Sequence, residues 1–274
     1  MAFLSAVDLD PADRLVRLVR RGLAEASLAE FDREQGFYAI QGMSGARYRY
    51  FINALIRRLG PCAYLEVGSW MGSTLCAAIH GNAVRALAID NWSQFGGPRE
   101  ACLANVAAFR TEEAQVTLAE GDFRAAPFAE LPASFPRFDV YLFDGPHEEQ
   151  DQYDGLMLAL TALADSFVFV CDDWNWPQVR MGTARAVADA GLEPLFMAEI
   201  RTTLDNTHGE PRFRESDWHN GYFIAVLRKP GLLPATAPGA PEEAAALRRE
   251  LAALALQNQL LRHLRTETQP DAAA

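Results

Sequence analysis

Two apolar runs in this chain end in acidic residues. The run at 138–144 closes on Asp144, followed by Gly145, Pro146 and His147, and the run at 167–172 closes on Asp172, followed by Asp173 and Trp174. On neighbouring strands of a parallel sheet, the three carboxylates would share one crevice. Uncompensated negative charges that close repel strongly. A hard divalent cation removes the repulsion, and all-oxygen donors suit Mg²⁺. Asp144, Asp172 and Asp173 are therefore candidate metal ligands. A histidine titrates near the operating pH of most enzymes, which is what proton abstraction needs, so His147 is a candidate catalytic group. Plainer readings stand beside these: an Asp-Asp pair also serves as a turn or helix cap, and a loop histidine also caps a helix.

A second constellation lies upstream, in Glu66-Val67-Gly68-Ser69-Trp70-Met71-Gly72-Ser73-Thr74. It sits where an apolar run gives way to a helical pattern. Glycines at such a turn let a ligand approach the backbone, and the helix N-terminus offers free N–H groups to an anion. The dinucleotide pattern G-x-G-x-x-G fails in both registers, because Glu66 and Met71, or Trp70, fall where glycine is required. The next apolar run ends in Ile89-Asp90-Asn91, an acid about 20 residues on and well placed for ribose hydroxyls. The one after ends in Gly121-Asp122-Phe123, a pair suited to an adenine amino group and ring.

The elements that must position these residues follow from periodicity. Short β-rich runs at 63–67, 84–90, 115–118, 138–144, 167–172, 194–200 and 222–227 alternate with helical patterns at 73–80, 99–109, 150–163 and 179–190. The central runs are apolar almost throughout, as strands covered on both faces must be. The alternation predicts a doubly wound α/β fold. No helix separates the last two runs, so the final strand returns antiparallel. Residues 11–35 and 48–59 read as amphipathic helices. The polar segment 201–221 is long for a hairpin connection, and long loops of this kind are often functional. Trp92, Trp174, Trp176 and Trp218 are candidates either for a stacking wall or for packing.

On these motifs, residues 37–229 resemble the class I S-adenosylmethionine-dependent O-methyltransferases, and within them the metal-dependent catechol and macrolide- or aminocoumarin-sugar branch. The resemblance implies a Rossmann-like seven-stranded sheet in the order 3-2-1-4-5-7-6 with strand 7 antiparallel. It implies that Gly68, Ser69, Trp70, Gly72 and Thr74 receive the methionine end of S-adenosylmethionine, with Glu66 facing its ammonium group. Asp90 and Asn91 would take the ribose, and Asp122 and Phe123 the adenine. A segment at 40–43 would close over the cofactor and bring Met43 to it. Asp144, Asp172 and Asp173 fall on the family's metal positions, Asp144 also beside the cofactor, and His147 falls where the family places its general base. The implied reaction is Mg²⁺-dependent O-methylation of a small-molecule hydroxyl, on a sugar, a polyketide-like natural product or a phenol. The alternatives are a metal-independent methyltransferase acting on nitrogen or a carboxylate, and a non-catalytic cofactor-binding or assembly module.

The 274 residues are half apolar, enough for a sizeable core. A formal net charge of −11 repels phosphate backbones and argues against a nucleic-acid partner. There is no apolar run of membrane-spanning length, no polybasic patch, and no basic and apolar leader before Asp13, so a cytoplasmic protein without membrane partners is expected. Cys62, Cys76, Cys102 and Cys171 are scattered and read as reduced thiols. The division expected is a helical cap or lid at 1–60, a cofactor-binding methyltransferase domain at 61–229, a Pro/Gly-rich linker at 230–241, and a helix and tail at 242–274. In that helix Leu247, Leu251, Leu254 and Leu261 follow a heptad-like seam with Asn258 in it. The seam suggests a homo-oligomer, with packing on its own domain as the alternative.

Overall fold

The run Phe138-Asp-Val-Tyr-Leu-Phe143 is apolar on both of its faces except for Asp139, so it must be covered on both sides. In the computed structural model, which describes residues 2–231, such runs form the middle of one eight-stranded sheet. The elements in chain order are β1 (Phe3–Asp8), α1 (Arg14–Leu28), α2 (Ala46–Leu59), β2 (Cys62–Val67), α3 (Ser73–Ile79), β3 (Val84–Asp90), α4 (Arg99–Phe109), β4 (Gln115–Glu120), β5 (Phe138–Phe143), α5 (Glu149–Ala159), β6 (Leu163–Asp172), α6 (Pro177–Asp189), β7 (Glu193–Arg201) and β8 (Tyr222–Arg228).

The strand order is β4-β3-β2-β5-β6-β8-β7-β1. Strands β2 to β6 run parallel, and β8 is antiparallel to both neighbours. From β4 to β7 this is the expected 3-2-1-4-5-7-6 order. The expectation of seven strands needs one correction: β1 adds an eighth, antiparallel to β7 with Phe3 opposite Arg201 and Asp8 opposite Phe196. Every side chain of β1 is exposed, so the strand is held by its backbone ladder and carries no burial pattern.

Alternation along the strands feeds two cores. Val140, Leu142, Val168, Val170, Ile224 and Val226 face α1–α4. Tyr141, Phe143, Phe167, Phe169, Phe223 and Leu227 face α5 and α6. Helix boundaries follow local chemistry. Asp13 caps α1 by accepting from the N–H groups of Leu15 and Val16. Glu148 and Asp151 form a capping box that starts α5, and Pro177 occupies the first position of α6. The four cysteines are free thiols, three of them buried. Among the described residues no helix is long and apolar enough to cross a membrane. The helix expected at 242–265 with its leucine seam, the tail, and nearly all of the linker at 230–241 lie outside the described residues.

Candidate functional site

Register places the chemistry. Val67 lies level with Ile89 and Phe143, and Phe143 with Cys171. The residues that follow, Gly68, Asp90, Asp144 and Asp172, therefore leave the sheet in one row at its C-terminal edge. That edge, between β2 and β5 where the strand order reverses, is the ligand crevice of open α/β sheets. A cavity of about 380 Å³ opens there. Its wall carries the expected Met43, Gly68, Ser69, Trp70, Thr74, Asp90, Asn91, Asp122, Phe123, Asp144, His147, Asp172 and Asp173. Glu66 and Gly72 lie behind that wall.

Glu66 is fully buried, and burial pushes its carboxyl up to about 7. Tyr64 Oη donates to one of its oxygens at 2.5 Å and Ser69 Oγ to the other at 2.8 Å. In this structure it anchors the glycine turn from beneath. Asp90 also serves the turn. One of its oxygens accepts from the N–H groups of Ser69 and Trp70 at 2.8 and 2.7 Å, and the other accepts from Trp92 at 2.6 Å. Asp122 accepts from the Arg124 N–H, and the Phe123 ring packs edge-on against Phe143.

The glycine at 68 answers to more than ligand approach. Its φ is +86°, and a Cβ there would stand 1.8 Å from the Asp144 carbonyl oxygen. The constraint comes from the neighbouring strand end, which is how the turn and the carboxylate row are locked together. Gly68→Ala is expected to lower folding stability by about 3 kcal/mol or more in chemical denaturation, beyond any effect on ligand binding. Wild-type stability in that variant would show that the two loops are not packed this way.

At the other end of the cavity three carboxylates surround one imidazole. His147 Nε2 lies 3.1 Å from Asp173 Oδ2, 3.6 Å from Asp172 Oδ1 and 4.0 Å from Asp144 Oδ1. Burial works to lower the His147 pKa, but Asp172 and then Asp173 overcome it and push it up to about 9. Burial, reinforced by Asp172, holds Asp144 far above the usual carboxylate range and Asp173 at about 7. His147 Nε2, Asp172 Oδ1 and Asp173 Oδ1 are buried and have no hydrogen-bond partner. Asp173 is held with φ +52°, a strained backbone for a non-glycine residue. Asp144, His147 and Asp172 present ligand atoms within 4.8 Å of one another, with Asp173 beside His147, and a buried carboxylate set of this kind fits a cation site.

Several residues of the site carry no sequence signal of their own. His208, Arg212, Phe213 and His219, all from the β7–β8 loop, line the cavity. The loop's length and polarity marked it as functional, but nothing in its spacing singles out these four. Arg49, wholly buried in α2, donates to the carbonyls of Phe37, Tyr38, Ile40, Gly42 and Ser44. It thereby ties down the segment that brings Met43 to the cavity. Of the four candidate tryptophans, Trp174 and Trp218 are packed in the core, Trp92 belongs to the core and also reaches the cavity wall, and Trp176 lines the wall.

Residues 65–174, from the first strand of the glycine turn through the Asp-Asp pair, match the family model for a methyltransferase domain. This stretch of the chain is similar to a methyltransferase domain. No curated protein matches the chain in sequence. Among solved structures, an O-methyltransferase from Bacillus cereus in complex with SAH is 16% identical at a TM-score of 0.45, over 80% of this chain and 92% of that one. Cofactor-bound Rv0187 from MTB is 16% identical at 0.46, over 78% and 90%. The O-methyltransferase TomG from Streptomyces achromogenes, in complex with SAM, is 14% identical at 0.44, over 80% and 92%. Similarity of this degree assigns neither a substrate nor a metal.

Proposed function

We propose that this chain transfers the methyl group of S-adenosylmethionine to a hydroxyl oxygen of a small molecule, assisted by a divalent cation held by Asp144, Asp172 and Asp173. The observation that carries the reading is the shared cavity. The glycine turn and the residues Asp144, Asp172 and Asp173 line the same cavity.

When bound, the cofactor supplies an electrophilic methyl, and a cation such as Mg²⁺ supplies positive charge that makes a nearby hydroxyl more acidic. The rest falls to this chain. Ser69 and Trp70, whose N–H groups donate to the Asp90 carboxylate, and Gly68, whose N–H donates to the Ile89 carbonyl, fix the cofactor end of the cavity. Phe123 and Asn91 bound the nucleoside region. His147 stands at the carboxylate end, where it would take a proton from an acceptor hydroxyl once a bound cation returns its imidazole to the neutral form. Trp176 and Phe213 line that end. Bringing nucleophile and methyl into line within a dry cavity is the main contribution the protein makes to such a displacement.

Methyl transfer from labelled S-adenosylmethionine to sugars, phenols and polyketide-like hydroxyl acceptors tests the reading. Activity should be abolished by EDTA and restored by Mg²⁺. Transfer that is indifferent to EDTA, or that goes only to nitrogen or carboxylate acceptors, would remove the cation from the mechanism. We also hold that the 242–274 segment mediates homo-oligomerisation, which light scattering of the full chain can check.

A further inference from the structure

We infer that His208 is a nitrogen ligand at the cation site, so that the donor set is mixed nitrogen and oxygen and favours an imidazole-binding divalent metal over Mg²⁺. The inference rests on the carboxylate cluster being a cation site and goes beyond that reading in naming a further ligand and the metal class.

Asp173, His208 and His219 each present a ligand atom, and the three atoms lie within 4.8 Å of one another. Asp173 is 6% exposed, and its Oδ1 has no partner. The hydrogen bonds of the two rings assign them different roles. His208 Nδ1 lies 2.9 Å from the Gly209 carbonyl oxygen, so it carries the proton and donates. Its Nε2 is left with a free lone pair. A backbone carbonyl behind the distal nitrogen is the usual support of a metal-binding imidazole. His219 is the opposite case. Its Nδ1 accepts from the Phe213 N–H at 3.2 Å. Its Nε2 therefore carries the proton of the neutral ring and can only donate. His208 is thus the ligand of the pair, and His219 a donor beside Asp173.

The loop that delivers His208 is built rather than loose. Asn175, wholly buried two residues after Asp173, donates to Thr202 Oγ1 at 2.8 Å and to Asn220 Oδ1 at 2.9 Å, and its Oδ1 accepts from the Thr202 N–H at 3.0 Å. Thr202 Oγ1 donates in turn to the His219 carbonyl at 3.0 Å. Gly209 passes so close that a Cβ would stand 2.3 Å from Thr202 Oγ1 and 2.6 Å from the His219 carbonyl oxygen. One side chain thus staples the turn holding Asp173 to both flanks of the loop, the arrangement a ligand set needs.

The chemistry of the added donor decides the metal. Mg²⁺ prefers oxygen and keeps its waters, whereas an imidazole nitrogen raises affinity along the series from Mn²⁺ to Co²⁺ and Ni²⁺. Binding of Co²⁺ and of Mg²⁺ to the metal-stripped full chain, measured for wild type, His208→Ala and His208→Gln, tests this. Loss of the ligand should weaken Co²⁺ roughly 10–100-fold and change Mg²⁺ by less than about threefold. Pulsed electron paramagnetic resonance of wild type loaded with Mn²⁺ should show a nitrogen coupling that either variant removes. A Co²⁺ affinity unchanged in the variants, equal losses for both metals, or no nitrogen coupling in wild type would overturn the assignment of His208 and leave the carboxylate site standing. Wild type that binds neither Co²⁺ nor Mg²⁺ would overturn both readings.

Discussion

Replacing Asp172 by asparagine should stop methyl transfer and, at the same time, raise the melting temperature of the cation-free protein. Both effects follow from one arrangement. Asp172 is 4% exposed, one of its oxygens has no partner, and its charge helps to hold Asp144 and Asp173 away from ionisation. Two like charges about 4 Å apart cost about 4 kcal/mol at an effective dielectric of 20. Partial protonation and the His147 imidazole already relieve some of that. A neutral amide of the same shape should therefore gain about 1–2 kcal/mol, or roughly 2–8 °C in Tm. The same change removes a cation ligand, and losing several kcal/mol of charge stabilisation lowers the rate about 10³-fold or more. S-adenosylhomocysteine binding should change less than about threefold, because the contacts we propose for it lie on the glycine turn at the other end of the cavity. Calorimetry of the two proteins in EDTA, with a methyl-transfer assay in Mg²⁺, reads all three quantities. A variant that is both inactive and less stable would mean that Asp172 is a structural residue, and retained activity would take it out of the cation site.

That trade between stability and function explains what could be read from the sequence. Residues whose environment is set by neighbours along the chain were legible. Asp144 and Asp172 end apolar runs, Gly68 sits at a strand-to-helix turn, and Tyr222 follows no helix, so the α/β alternation, the antiparallel last strand and the carboxylate row came from local pattern, while the strand order came from the family resemblance. Residues whose role depends on distant partners were not. Arg49 sits in a helix whose periodicity says only that it is buried, and its carbonyl partners lie in an irregular segment. His208 reaches the site through a loop folded by Asn175, a contact 27 residues apart in sequence from Thr202. Strand β1 was invisible for a third reason: a fully exposed edge strand is stabilised by backbone pairing, and that leaves no mark on side-chain pattern. Glu66 shows a subtler limit, because a residue at the right spacing lies beneath the turn, engaged by Tyr64 and Ser69.

The role of His147 is the point at which geometry and charge pull in different directions, and a single substitution separates the possibilities. With no cation among the carboxylates, the imidazole is pushed up to about 9 and is charged at neutral pH. A histidine whose pKa is raised in the fold stabilises it fully below about 6.5, the unfolded value. That contribution is lost as pH climbs through 9. Asp173, raised to about 7, adds a loss of its own as pH rises from about 4 to 7, since the fold disfavours its charged form. Stability of the stripped protein should therefore decline from acid to alkaline pH, and His147→Ala should flatten the upper part of that decline. A bound cation opposes the field of the carboxylates and returns the imidazole toward the neutral form that a base requires. The imidazolium and the cation thus compete for the same charge. Removing the ring should raise Mg²⁺ affinity at neutral pH by roughly tenfold, the scale of one like charge nearby. It should also reduce the rate about 10²–10⁴-fold, with partial recovery at high pH as acceptor hydroxyls ionise unaided. If His147 were instead a ligand with Asp144 and Asp172, the substitution would weaken Mg²⁺ binding, and rate and affinity would fall together. Mg²⁺ titrations of both proteins at pH 7, beside pH–rate profiles at saturating Mg²⁺, distinguish base from ligand. Unchanged rate and unchanged affinity would leave the imidazole with only the stability role.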